Sequence, residues 1–237
     1  KPVAYSMDGY YFLKFNLAYA AIHPLTQEEF LTKYPFLVVF HEKGELIEFR
    51  FDVLKRVFLS DKKEPTIYSN LIAEMSDYFK EHFACDLIPL NLDFMVNVCK
   101  RDENVKLIAQ SMKLPNGGNA QLDVGNNQEY ILPFIGELRS LLNDNQAELE
   151  KVPDFREALE QFMFEMEEMS DYPWIELLWE NEIKTRSNRV KFVFNYMNKS
   201  YCLIQYYYSN VLIGMERMNY VIEYIVNHRN DDTTQNE

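Results

Sequence analysis

The most constraining feature of this sequence is a run of apolar side chains over residues 183–225, spaced three or four residues apart from Val190 onward. The run consists of Ile183, Val190, Phe194, Met197, Tyr201, Ile204, Tyr208, Val211, Met215, Met218, Ile222 and Ile225. No proline and only one glycine, Gly214, occur between Trp174 and the last residue. Such spacing is typical of a coiled coil, in which a helix packs along its whole length against other helices. The stretch therefore predicts one long helix, the kind of element that assembly and scaffolding proteins use.

Part of the same stretch also fits a β-hairpin. Residues 189–196 alternate between apolar and polar side chains, and residues 197–200 would form a turn into a second strand over 201–208. β-Branched and aromatic residues, which are abundant here, favour strands. We favour the long helix, because a pair of strands does not explain why the helical spacing continues as far as Ile225.

The rest of the chain predicts several helices and one clear hairpin. Alternating runs at 36–40 and 46–51 are joined by a short polar segment, which is typical of a β-hairpin. The remaining predicted elements are helices over 8–22, 26–34, 66–83, 105–112, 130–143 and 155–169, a further helix from Asp171, and a strand over 92–100. The predicted fold class is α+β and mostly α, with a mixed N-terminal half containing the β-hairpin and a C-terminal helical bundle built on one long helix.

The domain organisation follows from one glycine-rich segment. Residues 115–128 hold three of the seven glycines together with several asparagines, a composition typical of a loop between domains. We therefore predict a mixed α/β domain over 1–114, a helical bundle domain over 129–228 and a polar tail over 229–237.

The chain is acidic, and the charge is unevenly distributed. The net charge is −13, and residues 144–182 carry 13 acidic and two basic side chains, whereas residues 184–229 carry seven basic and two acidic ones. This balance argues against nucleic-acid binding, which needs a basic surface. An acidic helix could pair with the basic segment, or it could be an ordinary solvated surface. The predicted acidic face consists of Glu157, Glu160, Glu165, Glu168 and Asp171, on a helix whose inward face would be Phe155, Leu159, Phe162, Met163 and Met166.

No residue pattern predicts a catalytic, cofactor-binding or metal-binding site. Glu176 and Glu180 would lie one turn apart on a helix and could share a cation, but the Glu-x-x-His pairs of di-iron bundles do not occur. His82 and Cys85 lack the second pair that a zinc site needs. The glycines at 116–119 lack the Lys-Ser/Thr of a phosphate-binding loop. A solvated surface is the simpler interpretation of the glutamates, and a turn is the simpler interpretation of the glycines.

The three cysteines indicate the kind of cellular compartment in which the chain occurs. They are odd in number and lie in apolar contexts, so we predict buried free thiols in a reducing compartment. The longest uncharged run, 200–215, is shorter than the ~20 apolar residues of a membrane span. With no signal peptide visible, these features predict a cytoplasmic protein without a membrane partner.

Three functional hypotheses follow. The leading one is a non-enzymatic structural or assembly subunit that forms a homo-oligomer or larger assembly, or docks protein partners, through its long aromatic helix. Its predicted interface residues are Tyr201, Tyr208, Met215, Met218 and Ile222. The second is an acidic inhibitor or immunity-type protein whose acidic face binds a basic partner. The third is an enzyme with a site between the two halves of the chain, near the 115–128 loop.

Overall fold

The structure, a computed structural model, describes residues 1–22, 25–41, 45–54, 64–125, 134–180, 187–207 and 215–229. In this part of the chain there are nine strands and six α-helices, and the strands form two antiparallel sheets. The chain divides into two compact units, Lys1–Ile88 and Pro89–Glu237. The prediction of a mostly α fold with a C-terminal helical bundle is therefore wrong, and so is the prediction of a coiled coil.

Unit 1 is a four-stranded sheet with one helix. Its elements are β1 (Val3–Met7), β2 (Tyr10–Ile22), β3 (Glu29–His41), β4 (Leu46–Phe51) and α1 (Glu64–Phe83), with the strand order β1-β2-β3-β4. The pairing of β3 with β4, from Phe36↔Phe51 to His41↔Leu46, confirms the predicted hairpin. Helix α1 confirms the helix predicted over 66–83.

Strands β2 and β3 replace the two helices predicted at 8–22 and 26–34. The helical spacing of apolar residues in β2 is coincidental, because the strand has apolar side chains on both faces. A two-residue turn at Asp8-Gly9 joins β1 to β2, and both residues have positive φ (53° and 82°). Such turns match the twist of paired strands. The Asp-Gly pair was the sequence signal that could have identified this hairpin.

Helix α1 packs on one face of the sheet through aromatic rings. Phe15 of β2 contacts Tyr78 edge-on, with ring centroids 5.1 Å apart, and Phe79 lies 6.1 Å from the ring of Phe40 on β3. The Tyr68 hydroxyl accepts a 2.9 Å hydrogen bond from the backbone N–H of Leu54. These contacts bury the apolar stripe of α1 and form the core of unit 1.

Unit 2 is a five-stranded antiparallel sheet with five helices. Its elements are α2 (Met95–Arg101), β5 (Lys106–Lys113), β6 (Asn119–Asp123), α3 (Ile135–Asp144), α4 (Gln146–Leu149), α5 (Pro153–Glu168), β7 (Asp171–Trp179), β8 (Asn188–Val193), β9 (Leu203–Tyr206) and α6 (Met215–His228). The strand order is β6-β5-β7-β8-β9. Helices α3 and α5 confirm the helices predicted over 130–143 and 155–169 within the described residues.

The predicted long helix is wrong over its first half, where the hairpin interpretation is correct. Strand β8 pairs with β7 on one side and with β9 on the other. Between β8 and β9 the backbone enters the left-handed region at Asn195, Met197 and Asn198, with φ between 45° and 58°. A continuous α-helix cannot contain these conformations. The helical spacing is confirmed only in α6, and Ile183, Tyr208 and Val211 lie outside the described residues.

Three further assignments in unit 2 are also wrong. The strand predicted over 92–100 is largely helix α2, whose buried residues Met95, Val96 and Cys99 follow helical spacing. The helix predicted over 105–112 is strand β5, and the helix predicted from Asp171 is strand β7. Both strands pair with each other over long sequence separation, an interaction that local spacing does not reveal.

The glycine-rich segment 115–128 contains a tight turn and a strand. The backbone N–H of Leu114 donates a 2.7 Å hydrogen bond to the carbonyl of Gly118, closing the β5–β6 hairpin, and Gly117 has a φ of 84°. The predicted domain boundary in this segment stays a prediction; its residues 126–128, like residues 230–237 of the predicted tail, lie outside the described residues.

The core of unit 2 lies between one face of the sheet and the helices α2 and α6. Ile175, Leu177, Val190 and Phe192 on this face are all fully buried. The ring of Trp179 contacts Tyr224 of α6 edge-on, with centroids 5.3 Å apart. In the described residues, no helix is both long and apolar enough to cross a membrane.

Candidate functional site

Helix α5 carries the residues of the predicted acidic face. The helix begins at Pro153, a favourable first helical position for proline, and Asp154 lies in its first turn. An acidic residue in the first turn interacts favourably with the helix dipole. Helix α5 ends at Glu168, three residues before β7 begins.

All five residues of the predicted acidic face are exposed. Glu157, Glu160, Glu165 and Glu168 lie on α5, and Asp171 is the first residue of β7. At 100° per residue, the four glutamates fall within a sector of about 140° on the helix. These four glutamates and Asp171 are the residues that we call the acidic face.

An exposed apolar stripe runs along α5 beside the acidic face. Phe155, Phe162 and Met169 follow one another at seven-residue intervals and are 60%, 41% and 62% exposed. Phe164, which the same geometry places between Glu157 and Glu160 within the acidic sector, is 56% exposed. Contiguous exposed apolar side chains of this size often mark a binding surface. We call Phe155, Phe162 and Met169 the apolar stripe.

The apolar stripe corrects the predicted inward face of this helix. Of its five predicted members, only Met163 is fully buried, and Leu159 and Met166 are half-buried, whereas Phe155 and Phe162 are exposed. Five apolar residues spread over about 100° of the helix, and packing buries only one side of that sector. The two phenylalanines are thus available to a partner.

Contacts with its neighbours fix the orientation of α5. The buried carboxylate of Glu167 accepts a hydrogen bond from the Arg139 guanidinium of α3, and the Tyr172 hydroxyl donates to the backbone carbonyl of Glu167. Lys100 of α2 forms a 3.2 Å ion pair with Glu168. Burial, together with the nearby Glu167, raises the pKa of Tyr172, which keeps its phenol protonated as a donor. The acidic face and the apolar stripe therefore sit on an anchored helix.

Only part of the acidic face is neutralised within the chain. Glu160 pairs with Arg156 at 2.7 Å, and Glu168 pairs with Lys100. No lysine or arginine of the described residues lies within ion-pair distance of Glu157, Glu165 or Asp171. These three exposed carboxylates can therefore interact with cations of a partner.

The predicted interface residues that the structure describes differ in exposure. Tyr201 lies just before β9 and contacts the ring of Tyr196, with centroids 6.3 Å apart. Met215 and Met218 are half-buried at the start of α6, and Ile222 is 2% exposed in the core of unit 2. Tyr208 lies outside the described residues. Their role as an interface stays a prediction, and the side chain of Ile222 is already buried within unit 2.

A second polar cluster lies on the sheet face opposite the core of unit 2. The carboxylate of Glu176, which is 4% exposed, accepts a hydrogen bond from Arg189 on β8. Glu176 is also the cross-strand neighbour of Lys191, whose ammonium lies 3.6 Å from the ring centroid of Trp174. Burial lowers the pKa of Lys191, although Glu176 opposes the shift. The Arg189 guanidinium thus contacts the Glu176 carboxylate, and the Lys191 ammonium contacts the Trp174 ring. Such contacts are typical of a structural network.

Sequence reasoning missed this cluster because Glu176 and Glu180 were interpreted as helical neighbours. In the structure Glu176 pairs with Arg189, and Glu180 pairs with Lys106 at 2.6 Å. The described residues contain no group of three or more His, Cys, Asp or Glu side chains that could hold a metal ion. The alternation of apolar and polar residues around Lys191 was the sequence signal that could have identified β8 as a strand. Lys191 could then have been recognised as a possible cross-strand neighbour of Glu176.

Comparison with known protein families, with curated proteins and with solved structures finds no match to this chain.

Proposed function

We propose that this chain is a protein-docking module that binds a basic, amphipathic helical segment of a partner protein along helix α5. The observation that supports this proposal is the apolar stripe lying beside the exposed carboxylate of Glu165, on a helix that also exposes Glu157. An amphipathic helix presents apolar and charged side chains on adjacent faces, so it matches both parts of this surface at once.

The two parts of the surface would contribute differently to binding. Phe155 and Phe162 would lose exposed apolar area against the partner, which supplies the non-directional part of the affinity. The carboxylates would attract and orient lysine or arginine side chains, an effect that raises the association rate and that salt weakens. The net charge of −13 favours approach of a cationic partner.

This proposal combines two of the sequence hypotheses. The first hypothesis predicted that a protein partner docks on a long aromatic helix. Residues 188–206 do not form that helix, and we propose α5 as the docking surface instead. The second hypothesis predicted an acidic protein that binds a basic partner, and it supplies the charge of the partner. The enzyme hypothesis stays a prediction.

A direct test uses a defined probe. The probe is a dye-labelled 18-residue peptide of leucine and lysine arranged to give one apolar and one basic helical face, and binding is followed by fluorescence anisotropy. We expect saturable binding that weakens steadily as salt concentration rises. A peptide of the same composition in scrambled order controls for charge attraction alone, and it should bind more weakly.

Matched variants locate the site. We expect Glu157→Gln with Glu165→Gln to weaken peptide binding about three- to tenfold, since each exposed carboxylate contributes modestly. Glu28→Gln with Glu45→Gln removes the same charge from exposed positions of unit 1 and should have a smaller effect. Phe162→Ser should weaken binding at all salt concentrations. Equal effects of the two double variants, or equal binding of the scrambled peptide, would overturn the proposal.

A further inference from the structure

We propose that the exposed Asp8-Gly9 turn is a site of spontaneous chemical modification, at which Asp8 cyclises to a succinimide and then opens to an isoaspartyl residue. Aspartate or asparagine before glycine cyclises most readily, because glycine has no side chain to hinder the approach of its backbone nitrogen. The sequence contains one Asp-Gly pair, Asp8-Gly9, and one Asn-Gly pair, Asn116-Gly117. Each pair lies in the turn of a hairpin. This inference is independent of the proposed docking function of α5.

The reaction consists of a ring closure and a ring opening, and it needs no reagent besides water. The backbone nitrogen of Gly9 attacks the side-chain carbon Cγ of Asp8, and the carboxyl hydroxyl leaves with the Gly9 proton as water. Water then adds to either carbonyl of the succinimide ring and breaks one of its two C–N bonds. Opening at the main-chain carbonyl leaves the backbone running through the side-chain carbonyl, which is an isoaspartyl bond of unchanged mass.

The Asp8-Gly9 turn leaves the reacting groups accessible. Both of its residues are exposed. The hairpin is closed by the pair Met7↔Tyr10, and the described residues form no hydrogen bond with the Gly9 N–H. Asp8 has a φ of 53°, a left-handed conformation that costs free energy in a residue with a side chain. Departure from the turn toward ring closure recovers part of that cost.

The Asn116-Gly117 turn, by contrast, holds both reacting groups in hydrogen bonds. The Gly117 N–H donates a 2.9 Å hydrogen bond to the carbonyl of Leu114. The side-chain Oδ1 of Asn116 accepts a 3.0 Å hydrogen bond from the Gly118 N–H. Both bonds have to break before the Gly117 nitrogen can attack the Asn116 side chain. Both residues of this pair are exposed too, so hydrogen bonding rather than exposure distinguishes the two turns.

The modification also has a structural consequence for the β1–β2 hairpin. An isoaspartyl bond adds a methylene group to the main chain, so a two-residue turn can no longer connect Met7 to Tyr10 in the same register. Strand β1 covers part of β2, and the ring of Tyr5 stacks on Phe12 with centroids 4.9 Å apart. Loss of β1 uncovers Phe12, which is now 1% exposed. The modified chain should therefore unfold at a lower urea concentration than the unmodified one.

The first test follows the folded, unmodified chain over several weeks in mildly acidic buffer, where a protonated carboxyl group can lose water. Peptide mapping by liquid chromatography and mass spectrometry detects the isoaspartyl peptide as a second peak of unchanged mass. We expect this peak at Asp8 and expect Asp8→Glu to abolish it, because a glutamate has to form a larger and less favourable ring. A folded chain in which Asp8 stays unchanged, or an equal second peak from Asp8→Glu, would overturn the proposal.

The second test makes the two turns chemically alike. The variant Asp8→Asn has an Asn-Gly pair in each hairpin, and the mass increase of each peptide on deamidation at neutral pH compares the two sites in one molecule. We expect position 8 to deamidate at least about fivefold faster than Asn116 in the folded variant, because two hydrogen bonds must first break at Asn116. In concentrated urea the two rates should be similar.

Circular dichroism verifies that the variant is folded, and equal rates at the two sites of the folded variant would contradict the proposal. If Asp8→Asn does not fold, the rate at Asn116 in the unmodified chain replaces this comparison. That rate should be lower in the folded chain than in urea, and equal rates there would likewise contradict the protection assigned to the second turn.

Discussion

The hydroxyl of Tyr224 donates a 2.6 Å hydrogen bond to the carboxylate of Asp102, joining helix α6 to the residue that follows α2, 122 positions earlier in the chain. The ring of Tyr224 also contacts Trp179 of β7. One side chain therefore connects the last helix, the first helix and the central strand of unit 2. The helical spacing of α6 was visible in the sequence, but this connection was not.

We expect Tyr224→Phe to lower the free energy of unfolding by about 1–2 kcal/mol, because the ring stays and a hydrogen bond to a charged group is lost. Urea unfolding measures the difference. Tyr220→Phe, at an exposed position of the same helix, is the control and should change little. Equal stability of Tyr224→Phe and the unmodified chain would contradict the role assigned to this hydrogen bond.

The effect of Tyr224→Phe should depend on pH. Burial alone would raise the pKa of Asp102, but hydrogen bonds from Tyr224 and Asn104 outweigh it and hold the pKa below its ordinary value of 3.8. A carboxyl whose pKa is lower in the folded state stabilises the fold at neutral pH and loses that contribution on acidification. The stability difference between the two proteins should therefore shrink as the pH falls below 3.8.

A buried cluster in unit 1 gives a second prediction. Glu48 accepts a 2.7 Å hydrogen bond from Arg50, and the Nε2 atom of His41 lies 2.9 Å from the same carboxylate oxygen. Burial acts to raise the pKa of Glu48, but His41 and Arg50 outweigh it and lower the pKa below 4.5. We expect Glu48→Gln to cost about 3–5 kcal/mol, because it removes the carboxylate that neutralises the buried guanidinium.

Chemical unfolding at several pH values checks this prediction. In the unmodified chain the contribution of Glu48 is lost as the pH falls below 4.5, so the difference from Glu48→Gln should decrease on acidification. Glu45→Gln, at an exposed position of the same hairpin, should change stability by less than about 0.5 kcal/mol. A similar loss in both variants would argue against a special role for Glu48.

The cysteines should differ in reactivity. Cys85 is exposed, which corrects the prediction that all three thiols are buried, whereas burial raises the pKa of Cys99 to about 12. Since the thiolate is the reactive form, a thiol reagent should modify Cys85 first and the buried Cys99 much more slowly in the native protein. Cys85→Ser should remove the fast phase of the reaction. Modification of Cys99 as fast as that of Cys85 would contradict the burial described here.

Local spacing was sufficient to predict structure where one face of an element is apolar and the other polar. Helices α1 and α5 satisfy that condition, and the sequence predicted both of them. The β3–β4 hairpin has apolar residues on both faces of β3, and the short polar segment between its strands was the signal that predicted it. Residues 201–207 are apolar on nearly all sides, so helical and alternating spacing both fit them. The deciding features were the pairing of β9 with β8 and the left-handed backbone at Asn195 between these strands, neither of which the spacing of apolar residues reveals.

The acidic face illustrates the same limit at the candidate site. Its charge was visible in the composition, and its residues are exposed as a charged surface should be. Which apolar residues of α5 face the core depends on how α2 and α3 hold the helix, through Glu168 and Glu167. The apolar stripe was therefore interpreted as buried, although it is the part that gives the acidic face a distinctive partner.

Adjacent residues of α5 provide the sharpest test of that orientation. Met163 is 7% exposed and Phe162 is 41% exposed. We expect Met163→Ala to lower the free energy of unfolding by about 2–4 kcal/mol, because it leaves a cavity in a packed interior. Phe162→Ala removes a larger side chain but should cost less than about 1 kcal/mol, because much of that side chain already contacts water. Urea unfolding of both variants decides the matter: the opposite order of stabilities would mean that Phe162 faces the core and cannot belong to a docking surface.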